Sequence, residues 1–266
     1  MRKPMEYKII SGRVVETKRS LISVSRDYHK PRGVRHAGTT SEKKIKANEK
    51  SSTRNLARII NCNFEAGDAF CTLAYDNDHY SAEFTYEQAR QDLKLFRDKL
   101  RKALKKETGE ILKAVWVTAN WSPHRQAPTR LHHHIVLPGD VAEKARQLWQ
   151  QIGGAGTFKM EGLDGRADHS DLAAYMMENV HDRPAGENKW NCCRNMERPV
   201  YTEPVEVDDL EGIQPDYGST VKDVEESRDE DGVLIGKYIR CLLKEKPKVR
   251  GGQIILPRKQ TRRRMI

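Results

Sequence analysis

Three consecutive histidines stand in the run Leu131-His132-His133-His134-Ile135-Val136-Leu137. Apolar neighbours on both sides and the Pro138-Gly139 stop predict a short buried strand. Side chains alternate along a strand, so His132 and His134 share one face and His133 takes the other. Two neutral imidazoles at this spacing can grip one divalent metal. The competing reading is a partly buried strand with a polar edge. Tyr175 is the second candidate, on a short helix further along. A phenol, with an unperturbed pKa of about 10, is a poor nucleophile and needs nearby help. A divalent metal that polarises a phosphate oxygen supplies it by stabilising charge in the transition state. A Tyr on a helix facing two metal-holding His residues therefore suits phosphoryl transfer. The plainer alternative is an amphipathic Tyr at a helix–sheet contact. His169 and His181 flank the Tyr helix and read mainly as surface residues, with acid–base work as the lesser reading.

The elements that must position these groups follow from pattern. Phe70-Cys71-Thr72-Leu73-Ala74-Tyr75 reads as a strand, ended by the turn chemistry of Asp76-Asn77-Asp78. Thr85-x-x-Gln88 resembles a capping box. Tyr86, Ala89, Leu93, Phe96, Leu100 and Leu104 follow at three- and four-residue steps, which predicts an amphipathic helix up to Gly109. Its other face is basic. Residues 111–121 read as a strand and Ser122 to Thr129 as a hairpin loop. A helix over 141–152 buries Ala145, Leu148, Trp149 and Ile152, and Gly153-Gly154 ends it. Residues 157–160 read as a short strand. Asp168 or Ser170 caps the Tyr175 helix, which runs to about Asn179. This order predicts an α+β fold, a central and mostly antiparallel sheet with helices packed on one face.

Charge is segregated along the 266 residues, whose net value is +10. Residues 1–57 hold fifteen Lys/Arg against five Asp/Glu and read as a flexible basic arm, either lying on phosphates or merely solvated. Residues 203–231 invert the balance, twelve Asp/Glu against two Lys/Arg, and read as an acidic insertion; residues 233–243 suit one more strand or helix. Residues 244–266 form a second basic tail. The domain between, 58–202, carries the candidate chemistry. The net charge favours an anionic partner, nucleic acid first. Five cysteines form neither a zinc ribbon nor a disulfide framework and read as reduced cytosolic thiols. No apolar run suits a membrane span, no secretion signal follows Met1, and no internal repeat occurs.

The order of blocks resembles the HUH endonucleases, and among them the rolling-circle replication initiators related to the filamentous-phage gene II protein. Phe70 to Asp76 is similar to their first motif, a strand of FxTLTY type. Leu131 to Leu137 is similar to the His-hydrophobe-His strand. Leu172-Ala173-Ala174-Tyr175-Met176-Met177-Glu178 is similar to the catalytic Tyr helix. Cys193-Arg194-Asn195-Met196-Glu197-Arg198-Pro199 resembles a Ser-Arg-Asn-Leu-x-x-Pro block that follows it. The resemblance implies nicking of single-stranded or hairpin origin DNA by Tyr175, a 5′-phosphotyrosine link and a free 3′-OH that primes synthesis. It implies Mg²⁺ or Mn²⁺ on His132 and His134, with host helicase and polymerase as partners in a bacterial or phage-infected cytoplasm. Thr72, Tyr75, Arg97, Arg101 and Arg194 would contact the DNA, with Tyr75 and Tyr80 stacking on bases. Two departures stand out. The family's Glu on the preceding strand is absent, leaving Asn120 or His124 as a third ligand. The Lys three residues after the Tyr is Glu178 here, which repels phosphate unless it too binds the metal. A relaxase or transposase with the same chemistry is the near alternative. A non-catalytic basic nucleic-acid-binding protein is the distant one.

Overall fold

The computed structural model describes residues 2–23, 42–76, 84–152, 156–184, 187–216, 218–250 and 253–256. In chain order these form β1 (Arg2–Ser11), β2 (Val14–Ser23), α1 (Glu42–Asn63), β3 (Ala69–Ala74), α2 (Tyr86–Glu107), β4 (Val115–Ser122), β5 (Ala127–Leu137), α3 (Ala142–Ile152), β6 (Phe158–Gly162) and α4 (Ser170–Glu178). Then come β7 (Asn191–Cys192), β8 (Val200–Tyr201), β9 (Val205–Glu206), β10 (Ser219–Arg228), β11 (Leu234–Leu243), β12 (Lys248–Arg250) and β13 (Gln253–Ile255). The chain divides into two compact units. One is continuous, Ser51–Arg198; the other is assembled from residues 1–50 and 199–266.

The continuous unit is built on a five-stranded antiparallel sheet in the order β6-β3-β5-β4-β7. β5 is central, and its second half, Ile135 to Leu137, is fully buried on both faces. That is why the histidine run continues into an unbroken apolar stretch instead of alternating with polar residues. α2 and α3 cover one face with Leu93, Phe96, Leu100, Ala145 and Trp149. α1 and α4 cover the other with Leu56, Ile60, Ala173 and Met176. The α+β antiparallel architecture is therefore present. Helices on one face only is corrected to helices on both, because α1, read as part of an arm, supplies a second apolar stripe.

α2 starts as its sequence dictates. The Gln88 amide donates to Thr85 Oγ1 at 3.3 Å, and the Thr85 amide donates to Gln88 Oε1 at 2.7 Å. Ala89, Leu93, Phe96, Leu100 and Leu104 are its buried stripe. The Gly153-Gly154 stop, Tyr80 and the terminal Arg262-Arg263-Arg264 run lie outside the described residues.

The second unit corrects both charge-based readings. Residues 2–23 are an antiparallel hairpin, not a flexible arm, and residues 42–63 are helix. The acidic stretch is no solvated insertion: β8 and β9 pair with β1, and β10 pairs with β11, which pairs with β2. Charge does not prevent a strand when ion pairs and backbone ladders satisfy it. Arg19 donates to Glu6 at 2.7 Å and to Asp209 at 3.0 Å, and Lys8 pairs with Asp216. Of the basic tail, 248–250 and 253–255 pair as a small hairpin.

Candidate active site

β5 presents its histidines as alternation requires. His134 lies opposite Thr72 of β3 and Val117 of β4, and His132 opposite Ala74 and Ala119. Both therefore belong to the α1/α4 face. Their Nε2 atoms are 3.2 Å apart. Two nitrogens sharing one ion at about 2.1 Å each would lie roughly 3.0–3.4 Å apart, so the pair fits a single divalent cation.

The protonation states suit that use. Burial is the main cause that pushes His134 down to about 3; His132 acts with it and the Asn179 side chain against it. Burial lowers His132 as well. Both rings are therefore neutral at physiological pH and have lone pairs to give. His132 Nδ1 lies 2.9 Å from the Arg130 carbonyl, which only accepts, so Nδ1 carries the proton and Nε2 is bare. His134 Nδ1 lies 3.1 Å from Thr72 Oγ1. A hydroxyl donates or accepts, so Thr72 satisfies either His134 tautomer. With the proton on Nε2, His134 donates to His132. With the proton on Nδ1, two bare nitrogens face each other and call for a cation between them.

Tyr175 comes to the same face. Its ring centroid is 5.5 Å from that of His134 and 6.0 Å from that of Phe70, which itself stacks on His134 at 5.2 Å. α4 is fastened at both ends. At its start the His169 amide donates to Asn61 Oδ1 of α1 at 2.9 Å. At its end the His181 amide donates to Asn120 Oδ1 at 2.8 Å. The Asn120 and Trp121 amides return to the Asn179 carbonyl at 3.0 and 3.2 Å. The Cys193–Pro199 block is likewise tied down, Asn63 and Glu197 exchanging two hydrogen bonds of 2.9 and 2.8 Å.

The structure thus brings together Tyr175, His132, His134 and Thr72. Thr72, expected to touch DNA, touches His134. The Asn120 side-chain oxygen is given to the anchor of α4. Glu178 is exposed on the last residue of that helix. Among the described residues no group of three His, Cys, Asp or Glu side chains forms a metal cage. The two histidines are the protein donors in view, and oxygens of substrate and water would have to complete a hard ion's shell.

Tyr75 is corrected from base-stacking residue to core residue. It is 6 % exposed and packs on Phe84 and Trp149. Its hydroxyl donates to the Ala89 carbonyl at 3.3 Å and lies 2.9 Å from His133 Nε2. His133 is fully buried on the α2/α3 face, its Nδ1 3.1 Å from Thr118 Oγ1. Arg97 is also on that face, over Trp116, so it does not line the Tyr175 site. Arg101 is exposed and paired with Asp98 at 3.1 Å, and Arg194 is exposed. His169 is buried instead of lying on the surface.

Sequence reasoning missed Phe70, Asn61 and Asn179. For Phe70 a signal existed, since strand alternation puts it on the face of Thr72. A single buried Asn on a helix or at its end leaves no such mark. No family model, curated protein or solved structure matches the chain.

Proposed function

We propose that this protein is a metal-assisted, single-tyrosine DNA-nicking and strand-transfer enzyme of the HUH type that initiates rolling-circle replication. One observation carries the reading: a tyrosine on a doubly anchored helix faces a neutral histidine pair whose Nε2 atoms are 3.2 Å apart. The chain's net charge of +10 suits a polyanionic substrate.

The chemistry is an exchange of esters. The Tyr175 oxygen attacks the scissile phosphorus and loses its proton to solvent. The 3′ oxygen leaves and takes up a proton, so one phosphodiester becomes a 5′-phosphotyrosine plus a free 3′-OH. Phosphoryl transfer asks the protein chiefly for positioning and charge stabilisation. Asn61 and Asn120 position the nucleophile by holding α4. Thr72 and Phe70 hold the His134 ring. Mg²⁺ or Mn²⁺ held by His132 and His134 Nε2 would neutralise charge on the phosphate. Origin DNA, single-stranded or hairpin, is the substrate in this reading, and a cytoplasmic replication machinery with helicase and polymerase extends the 3′ end. A relaxase or transposase would use the same groups. In the described residues no helix is long and apolar enough to cross a membrane.

The decisive experiment incubates the full chain with Mn²⁺ and labelled single strands, then looks on a denaturing gel for a protein–oligonucleotide adduct. Tyr175→Phe is expected to abolish the adduct while leaving binding near normal. An adduct formed by that variant removes Tyr175 from the chemistry. Binding without any adduct, across many strand sequences, leaves a non-catalytic DNA-binding protein.

A further inference from the structure

A cleft of about 460 Å³ opens on the α2 side of the sheet. It belongs to the face opposite Tyr175, since Trp116 and Leu93 in its wall pack with α2 and α3. Its volume is within the range of small-ligand sites. The charges in its wall do not balance. Glu87 and Glu187 both pair with Arg90, the former at 3.4 Å. Among the described residues no carboxylate lies within ion-pair distance of Arg97 or Lys94. Arg97 is half-buried, its guanidinium 3.7 Å from the centre of the Trp116 ring, and its Nε is sealed from water without an acceptor. Burial accordingly depresses its pKa.

A guanidinium withdrawn from water without a counter-ion is costly. Stacking on Trp116 recovers part of that cost and fixes the plane of the fork. The missing partner is an anion with several oxygens, and Lys94 on the rim offers it a second cation.

We propose that this cleft is a nucleotide phosphate site, with Arg97 and Lys94 receiving the phosphoryl group and Tyr86 in the wall beside the base. The phosphate belongs either to a nucleic acid strand or to a free nucleotide. The site stands apart from the Tyr175 chemistry and does not depend on it.

The test is fluorescence anisotropy of the full chain with a fluorescein-labelled oligo(dT), in EDTA so that no cleavage intervenes, with dTMP as competitor. Arg97→Gln and Lys94→Gln are each expected to weaken binding about tenfold, as loss of one charge-assisted hydrogen bond implies. Arg228→Gln on β10, exposed, paired with Glu226 and outside the cleft, serves as control and should change it less than about twofold. Lys94 is exposed, so its variant keeps the test clear of core damage. Displacement by dTMP identifies a free nucleotide as occupant; no displacement, with the variant effects intact, identifies a strand phosphate. Equal losses in all three variants would mean diffuse attraction to a basic surface and would overturn the site. Unchanged binding in both Arg97→Gln and Lys94→Gln would overturn it as well.

Discussion

Thr72 supports His134 in either tautomer, because its hydroxyl can donate to Nδ1 or accept from it. Replacing it with valine keeps the shape and removes that freedom. Outer partners of a ligating histidine typically matter by about tenfold or more in metal affinity. Thr72→Val is therefore expected to weaken Mn²⁺ binding by about that factor in a direct titration followed by calorimetry, without loss of the folded state. His133 makes a second residue-scale prediction. Burial is the leading cause that pushes it down to about 3, with its histidine neighbours and Arg97 in the same direction. The Tyr75 hydroxyl already donates to Ala89, so its oxygen accepts from His133 Nε2–H, and Thr118 donates to Nδ1. A proton added at Nδ1 would turn the Thr118 hydroxyl from donor to acceptor and place a charge in a dry core, and the charge is what costs. The folded pKa lies below the unfolded value of about 6.5, so the stabilisation from keeping this ring neutral is present above that pH. It is lost as pH falls toward 3, at up to about 1.4 kcal/mol per pH unit for one proton. Denaturant midpoints measured from pH 7 down to 4 should fall. A flat profile would mean that the ring protonates while still folded.

At the scale of elements, α4 matters most. It is nine residues long, too short to hold itself in water. Its register depends on Asn61 at one end and Asn120 at the other. Asn61 is 5 % exposed, so Asn61→Ala leaves the His169 amide without an acceptor, a loss of about 1–3 kcal/mol. Adduct yield should fall further than stability does, because the same slip moves the Tyr175 ring off His134; equal falls in both would reduce Asn61 to a structural role. The sequence made most of this unit legible. β3, α2, β4, β5, α3 and α4 all follow from spacing, because one or both faces of each are buried and the burial leaves a period in the residues. β1, β2 and β10 left no such trace. Their burial is partial, and Lys, Arg and Glu occupy positions that are satisfied by partners far along the chain, as in Arg19 with Asp209. Composition then reads as a tail what is in fact a sheet. The site was legible where side chains alternate on one strand, and illegible where it depends on single asparagines.

At the scale of the whole molecule, the continuous unit Ser51–Arg198 interrupts the other. It contains its own sheet, two apolar layers and both ends of the candidate site. A fragment of residues 51–198 is expected to unfold in one cooperative transition and to keep the His132–His134 pair; a fragment with no transition would show that the flanking strands are required. Affinity for single strands by the full chain should fall steeply with salt, as phosphate contacts demand.

The pairing of β2 with β11 has a consequence for synthesis. Glu16 of β2 waits for the hydroxyl of Tyr238, 222 residues downstream. A ribosome has therefore delivered the entire Tyr175-bearing unit before the early hairpin meets its neighbour. Until then that hairpin leaves the exit tunnel with an open edge on each side, the condition in which nascent strands recruit chaperones or one another. Growth temperature and translation speed should thus govern the yield of the sheet built on β1 and β2 before they touch the five-stranded one.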